Sequence, residues 1–245
     1  MTKPDPFSVL TDSRVARVLR RLHEEADEQF FGLALHYLPK LPALLLGRKV
    51  ALDDASALRS RYFADKFIAL ERPQGAFCHQ TVRALQAKLV VEFGTSFGIS
   101  TIWLAAAVRA NGGGKVIGTE FVPEKAARAQ KHIEEAGLAD IVEIRVGDAL
   151  ETLRVLPGDV DMALIDGFPQ KSVDVVKLLR PWLRTGAVVV ADNVGVMKGD
   201  YRPYVDFMRD PRNGFTSMLI PFKSGTEYSV RTPANPDRTA EAKAV

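Results

Sequence analysis

Residues 90–101 read VVEFGTSFGIST, an apolar run that is interrupted by two glycines and then resumes as an apolar segment with helical periodicity. This order predicts a β-strand, a tight turn and an α-helix. Glycine lacks a Cβ atom and adopts backbone dihedrals that other residues avoid, so such a turn lets backbone N–H groups approach a ligand closely. We therefore expect the turn between Gly94 and Gly98 to bind a nucleoside.

The spacing of these glycines indicates which kind of nucleoside site the turn forms. Dinucleotide sites carry G-x-G-x-x-G and phosphate-binding P-loops carry G-x-x-x-x-G-K-[ST], and the turn has neither pattern. Glu92 lies directly before the turn, where its charge disfavours a pyrophosphate and favours a cationic ligand. The stretch resembles motif I of the class I S-adenosylmethionine-dependent methyltransferases, in which an acidic residue precedes such a turn and faces the amino-acid part of the cofactor.

Length and composition limit the classes of protein. The chain has 245 residues, enough for one sizeable domain with a full core. It is 47% hydrophobic and 26% charged, as soluble globular proteins are, and 33 basic and 30 acidic residues leave a net charge of +3. We therefore expect no nucleic-acid partner. The single cysteine, Cys78, excludes an intrachain disulfide framework and a multi-cysteine zinc site, and we expect it to be buried and inert.

Two segments bear on the cellular location. Residues 1–13 contain no apolar region of the kind that secretory signals have, which predicts a cytoplasmic protein. The most membrane-like stretch, 38–47, is interrupted by two prolines and a lysine and is well short of the roughly 20 residues of a membrane-spanning helix. We interpret it as a helix connector, or as part of a lid or a subunit contact, and expect no membrane partner.

The spacing of apolar residues changes near residue 87. Apolar residues have helical spacing over 12–38, and further helices are predicted over 53–70 and 74–85. Beyond residue 87 short apolar runs alternate with helical stretches, which is typical of βαβ units and a parallel sheet. We predict an N-terminal helical extension (1–87), an α/β core (88–232) and a disordered tail (233–245). The predicted strands are 89–93, 115–120, 142–146, 161–166, 187–191, 216–221 and 226–231, the last two forming an antiparallel edge.

Acidic or amide residues stand at the ends of five predicted strands, where ligands of open parallel sheets bind. Glu120 follows Gly94 by 26 residues, near the offset at which an acid accepts hydrogen bonds from ribose hydroxyls, and a helix-start acid is the alternative. The resemblance assigns Asp148 to the adenine amino group, with a helix N-cap as the alternative. These five positions are Glu92, Glu120, Asp148, Asp166 and the pair Asp192-Asn193.

The last two positions resemble the catechol and caffeoyl-coenzyme A O-methyltransferase group, which has an Asp on strand four and Asp-Asn on strand five. The resemblance covers about residues 74–232 and implies that Asp166, Asp192 and Asn193 converge. Two carboxylates and an amide oxygen suit Mg²⁺, Mn²⁺ or Ca²⁺. In that group the cation binds two adjacent oxygens of a diol and lowers the pKa of the acceptor hydroxyl.

One departure from that group concerns the general base. Its catechol-type members carry a lysine three residues after the strand-four aspartate, where this chain has Pro169. Lys171 is the candidate base, and a solvated lysine at a helix start is the alternative. The resemblance also implies that three tyrosines line the acceptor pocket, with packing as the alternative. They are Tyr201, Tyr204 and Tyr228.

Together these features predict a Rossmann-like, doubly wound sheet of seven mostly parallel strands, with the strand count supplied by the resemblance. They predict an S-adenosylmethionine-dependent O-methyltransferase for a small, hydroxylated, aromatic acceptor, assisted by a divalent cation, most simply Mg²⁺. Since dimers are usual among relatives, a homodimer is also predicted. The metal ligands are Asp166, Asp192 and Asn193. The cofactor residues are Glu92, Gly94, Thr95, Ser96, Gly98, Ser100, Glu120, Asp148 and Ala149.

Three alternatives stay open at this point. A metal-independent N- or O-methyltransferase would keep the glycine turn and Glu120 but would be insensitive to a chelator. An NAD-linked oxidoreductase is disfavoured by the missing third glycine. A non-catalytic, methyltransferase-like binding protein is indicated only by Pro169.

Overall fold

The computed structural model describes residues 4–37 and 70–233. The stretch 38–47, all but the last residue of the predicted helix 53–70 and the tail from residue 234 lie outside these residues, so the predictions made for them stay predictions. In the described parts, no helix has both the length and the apolar character needed to cross a membrane.

Helices and strands alternate from the first strand onward. The helices are α1 (Ser13–Tyr37), α2 (Arg72–Ala84), α3 (Ile99–Ala110), α4 (Pro123–Glu135), α5 (Ala149–Thr152), α6 (Pro169–Leu179) and α7 (Lys198–Arg209), with short 3₁₀ turns at Pro6–Val9 and Pro211–Asn213. The strands are β1 (Leu89–Phe93), β2 (Lys115–Glu120), β3 (Val142–Val146), β4 (Val160–Ile165), β5 (Leu183–Ala191), β6 (Phe215–Ile220) and β7 (Thr226–Arg231).

Among the described residues, these seven strands form one sheet in the order β3-β2-β1-β4-β5-β7-β6. Strands β1 to β5 are parallel to one another, whereas β7 runs antiparallel to both β5 and β6. The predicted seven-stranded, mostly parallel sheet with an antiparallel pair at one edge is thereby confirmed. The strand order reverses at β1, which pairs with β2 on one side and β4 on the other, and the glycine turn follows this strand. Ligands of open α/β sheets bind at such a reversal.

Both faces of the sheet are covered by helices, and successive strand residues face opposite cores. Val90 packs into the core under α1, α2 and α3, whereas Val91 packs into the core under α6 and α7. Tyr201 and Tyr204 belong to the second core and are almost fully buried, which supports packing as their role. Tyr228 is half-buried against Phe77 on the opposite face.

Several element bounds differ from the prediction, and two of these differences have a clear physical reason. Apolar spacing predicts a helix over residues 172–183, but helix α6 begins at Pro169 because proline suits the first turn of a helix, where no backbone donor is needed. Strand β5 begins at Leu183 rather than at Ala187 because Leu183 pairs with Val160 across an irregular register on β4. The apolar pattern of a single strand carries no information about such pairing.

Candidate active site

The turn between β1 and α3 has left-handed backbone at three positions, with φ of 101° at Gly94, 48° at Ser96 and 88° at Gly98. A Cβ atom on Gly94 would lie 2.6 Å from the backbone oxygen of Asp166. The turn is therefore packed directly against the end of β4, and only glycine fits there. Gly98 is the N-cap of α3, and a Cβ there would lie 3.2 Å from that of Ala129 on α4.

Glu92 at the end of β1 is fully buried beneath this turn. Its Oε2 atom accepts hydrogen bonds from the hydroxyls of Thr95, at 2.9 Å, and Thr101. Its Oε1 atom accepts no hydrogen bond of normal geometry in the described residues. Burial raises the pKa of the carboxyl, and the nearby hydroxyls of Ser100, Thr101 and Thr95 oppose this rise. Gly118 on β2 leaves room for the Thr95 hydroxyl, which a Cβ would approach to 2.2 Å. Because an unsatisfied buried oxygen is costly, a donor from a bound ligand would stabilise this arrangement.

Glu120 at the end of β2 joins the glycine turn to the start of α4. Its Oε2 accepts a hydrogen bond from the Ser96 backbone N–H at 2.8 Å, and its Oε1 accepts one from Val122 at 2.9 Å. The bond from Val122, the N-cap of α4, agrees with the alternative that Glu120 is a helix-start acid. The bond from Ser96 places the same carboxylate beside the glycine turn. The Ser96 hydroxyl is a second buried polar group without a partner in the described part of the chain.

Asp148 has two partners that together occupy both of its oxygens. Oδ1 accepts a hydrogen bond from the Leu150 backbone N–H at 3.0 Å, so Asp148 is the N-cap of α5. Oδ2 lies 2.5 Å from Lys171 Nζ, and this ammonium group holds the pKa of the carboxyl below its usual value. Ala149 is buried in the core under α6 and α7. Lys171, the candidate general base, is thus paired with Asp148.

The third group of predicted residues lies at the ends of β4 and β5. The Asp166 backbone N–H donates to Phe93, and that of Asp192 donates to Ile165, so the ends of β1, β4 and β5 lie side by side. Asn193 Nδ2 donates to Asp166 Oδ1 at 3.1 Å. Burial raises the pKa of Asp166 well above its usual value, and the charges of Asp192 and Glu92 raise it further. The structure therefore brings these acids into one region of low polarity.

Two residues that contact this group were not found from the sequence. Gln74 on α2 donates to Asp192 Oδ1 at 2.5 Å, and Ser224 donates to the same oxygen at 2.6 Å. They are 118 and 32 residues away from Asp192 in the sequence. The only local feature that marks either residue is the capping box that Gln74 forms with Glu71. Cys78, also on α2, is buried as expected, and burial raises the pKa of its thiol.

The donor set fits a divalent cation by its chemistry. In residues 4–37 and 70–233 no group of three or more His, Cys, Asp and Glu side chains could hold a metal, and the predicted donor set has only two such side chains, Asp166 and Asp192, with the amide of Asn193 as its third member. Within the described residues, Oδ2 of Asp166 and Oδ2 of Asp192 accept no hydrogen bond. Clustered carboxylates in a buried region are stabilised by a cation.

Comparison with known proteins identifies relatives of the chain. A family described as a methyltransferase domain matches residues 91–194. A catechol O-methyltransferase from Mycobacterium tuberculosis is 39% identical over 156 residues, which are 63% of this chain and 69% of that protein. A catechol O-methyltransferase from Niastella koreensis is 35% identical over 175 residues, which are 69% of this chain and 75% of that protein.

Two solved structures are also similar to this chain. Cofactor-bound Rv0187 from MTB superposes with a TM-score of 0.64 at 31% identity, covering 79% of this chain and 96% of that one. The O-methyltransferase TomG from Streptomyces achromogenes, solved in complex with SAM, superposes with a TM-score of 0.64 at 27% identity, covering 74% and 89%.

Proposed function

Because this chain belongs to the S-adenosylmethionine-dependent O-methyltransferases, we propose that it methylates a hydroxyl of a small aromatic diol with the help of a divalent cation. The catechol O-methyltransferases among its relatives support the diol as acceptor. The cation is supported by one observation of this chain, the carboxylates of Asp166 and Asp192 at the neighbouring ends of β4 and β5, each of which has one oxygen that accepts no hydrogen bond among the described residues. A cytoplasmic location and a homodimer stay predictions from the sequence.

S-Adenosylmethionine supplies a methyl group on a positively charged sulfonium. We assign its amino-acid part to Glu92, whose Oε1 would accept from the cofactor's ammonium group, and its ribose to Glu120 beside the turn. Two unpartnered buried atoms, Glu92 Oε1 and Ser96 Oγ, support this assignment. The adenine would lie toward Asp148 and Ala149. The other cofactor residues of this proposal are Gly94, Thr95, Gly98 and Ser100.

The acceptor would bind next to Asp166, Asp192 and Asn193, the residues that would hold the cation. When bound, Mg²⁺ would lower the pKa of the acceptor hydroxyl and orient it. The acceptor oxygen then forms a bond to the methyl carbon as the carbon–sulfur bond breaks, and sulfur keeps the bonding electron pair. The acceptor hydroxyl first loses its proton to water and enters this step as an anion, so a lysine at position 169 is dispensable. Mn²⁺ and Ca²⁺ suit the same oxygen ligands.

The decisive experiment combines metal removal with one substitution. We expect vicinal aromatic diols to be methylated from labelled S-adenosylmethionine only when Mg²⁺ is present. Asp192→Ala should abolish this turnover and leave cofactor affinity within about twofold of the native value, because Asp192 is a metal ligand in this proposal. Asp174→Ala removes an exposed carboxylate on α6 and serves as the matched control. Undiminished turnover in a chelator would show that the enzyme is metal-independent.

A further inference from the structure

A buried glutamine from the helical part before the sheet contacts the proposed metal site. Gln74 is 1% exposed, and its Nε2 atom lies 2.5 Å from Asp192 Oδ1, 2.7 Å from Thr226 Oγ1 and 3.0 Å from Ser224 Oγ. An amide nitrogen carries only two hydrogens, so these three oxygens satisfy it completely. The side chain is therefore fixed at this end.

The other end of the same amide is fixed as well. Gln74 Oε1 accepts a hydrogen bond from the Glu71 backbone N–H at 3.2 Å, within the capping box at the start of α2. This bond directs the oxygen of the amide toward the helix terminus and the nitrogen toward Asp192. Helix α2 thus presents a donor, in one orientation, to a carboxylate on a distant strand.

The consequence for Asp192 is that its two oxygens differ. Oδ1 accepts hydrogen bonds from both Gln74 and Ser224, whereas Oδ2 accepts none within the part of the chain that the structure describes. Asp192 is 4% exposed, so water does not readily replace these partners. Oδ2 is the oxygen left for a ligand.

We infer that Gln74 is a positioning residue for the divalent cation, because it holds Asp192 through Oδ1 and leaves Oδ2 to bind the metal. This inference rests on the proposed function, since it takes Asp192 as a metal ligand. Hydrogen-bond partners of a metal-binding carboxylate fix its orientation, and their removal commonly weakens metal binding roughly 10- to 100-fold. A residue with only a structural role would change the stability of the fold and not the affinity for metal.

The test measures binding of Mn²⁺ to the full-length, metal-free protein by electron paramagnetic resonance, without acceptor and without turnover. Gln74→Met keeps the length of the side chain but removes the donor. We expect it to weaken Mn²⁺ binding by about 10- to 100-fold while cofactor affinity stays within about twofold of the native value. Ser224→Ala removes the second donor to the same oxygen and should weaken Mn²⁺ binding in the same direction.

Thr226→Val is the matched control, because it removes a buried hydroxyl that contacts Gln74 and not Asp192. Its Mn²⁺ affinity should equal that of the native protein. If Gln74→Met binds cofactor normally and Mn²⁺ with native affinity, the inference is wrong and the metal site stands. If Gln74→Met does not fold, native Mn²⁺ affinity in Ser224→Ala overturns the inference. A native protein that binds no Mn²⁺ refutes the metal site and this inference together.

Discussion

Each acid at the strand ends has its own set of partners, and these partners separate the acids by role. Glu92 keeps one buried oxygen without a partner, Glu120 accepts two backbone hydrogen bonds, and Asp148 is satisfied by a helix terminus and Lys171. Residue type and position at a strand end were predictable from the sequence. The partners were not, because they come from other elements.

Glu120→Ala tests the proposed ribose contact. Removal of a charged acceptor should weaken binding of S-adenosylmethionine by about 1.5–3 kcal/mol, or roughly 10- to 150-fold in Kd, as measured by calorimetry. Glu124→Ala is the control, since it removes an exposed acid from the first turn of α4. Equal affinities of the two variants would refute the ribose role of Glu120.

Lys171→Met tests whether the candidate base transfers a proton. Lys171 is paired with Asp148 and its side chain is half-exposed, so we expect a loss of stability below about 1 kcal/mol and a kcat reduced by less than about tenfold. A general base contributes roughly 10²- to 10⁴-fold, so a loss of that size would assign proton transfer to Lys171. Lys177→Met, on the exposed side of α6, is the comparison variant.

At the scale of elements, the glycine turn is fixed by its contact with the end of β4. The sequence predicted a strand, turn and helix here, and the bounds of β1 agree with the prediction. The sequence did not show that the turn touches the backbone of Asp166, because that contact depends on β1 and β4 being neighbours. The contact links the turn of the proposed cofactor site to the strand that carries a proposed metal ligand.

Comparison of Gly94→Ala with Gly113→Ala separates two requirements at position 94, which are a positive φ and the absence of a Cβ atom. Both residues have positive φ, but a Cβ at Gly113 would meet nothing within 4 Å. Gly113→Ala should therefore lower the free energy of unfolding by only the backbone term, about 1–2 kcal/mol. Gly94→Ala should lose about 1–3 kcal/mol more because of overlap with the end of β4. Chemical denaturation measures both, and equal losses would contradict the close contact.

Helices α1 and α2 are part of the same core as α3, the helix that follows the glycine turn. Trp103 on α3 is fully buried and donates a hydrogen bond from Nε1 to His23 Nε2 on α1 at 3.2 Å. Phe7, before α1, stacks on the same ring. The helical part before the sheet therefore packs on the domain that binds the cofactor, and through Gln74 it also reaches the strand ends.

His23 makes this packing sensitive to pH. Burial, aided by the charge of Arg72 and opposed by that of Asp27, lowers the pKa of His23 from 6.5 to about 4. The folded state thus favours the neutral imidazole. The contribution of His23 to the free energy of unfolding is therefore complete above pH 6.5 and is lost as the pH falls toward 4. Between pH 7 and pH 5 the free energy of unfolding should fall by about 2 kcal/mol through this group.

His23→Gln supplies the comparison, because its amide oxygen can accept the hydrogen bond from Trp103 and does not titrate. Urea denaturation measures the free energy of unfolding at pH 7 and at pH 5. Between these two values the decrease should be smaller in this variant than in the native protein, by about 2 kcal/mol. The other histidines are common to both proteins and cancel in the difference. Parallel pH profiles would show that His23 does not titrate in this range.

The glycine turn, the strands that carry acids at their ends and the alternation of strands and helices were all predictable from the amino-acid sequence. These features depend on backbone dihedrals and on apolar periodicity, which are local properties. The contacts of Gln74 and Ser224 with one oxygen of Asp192, and the pairing of Lys171 with Asp148, became visible only in the folded structure. The reason is that a side-chain hydrogen bond requires two atoms within about 3 Å, and which distant residues come so close is set by the packing of whole elements.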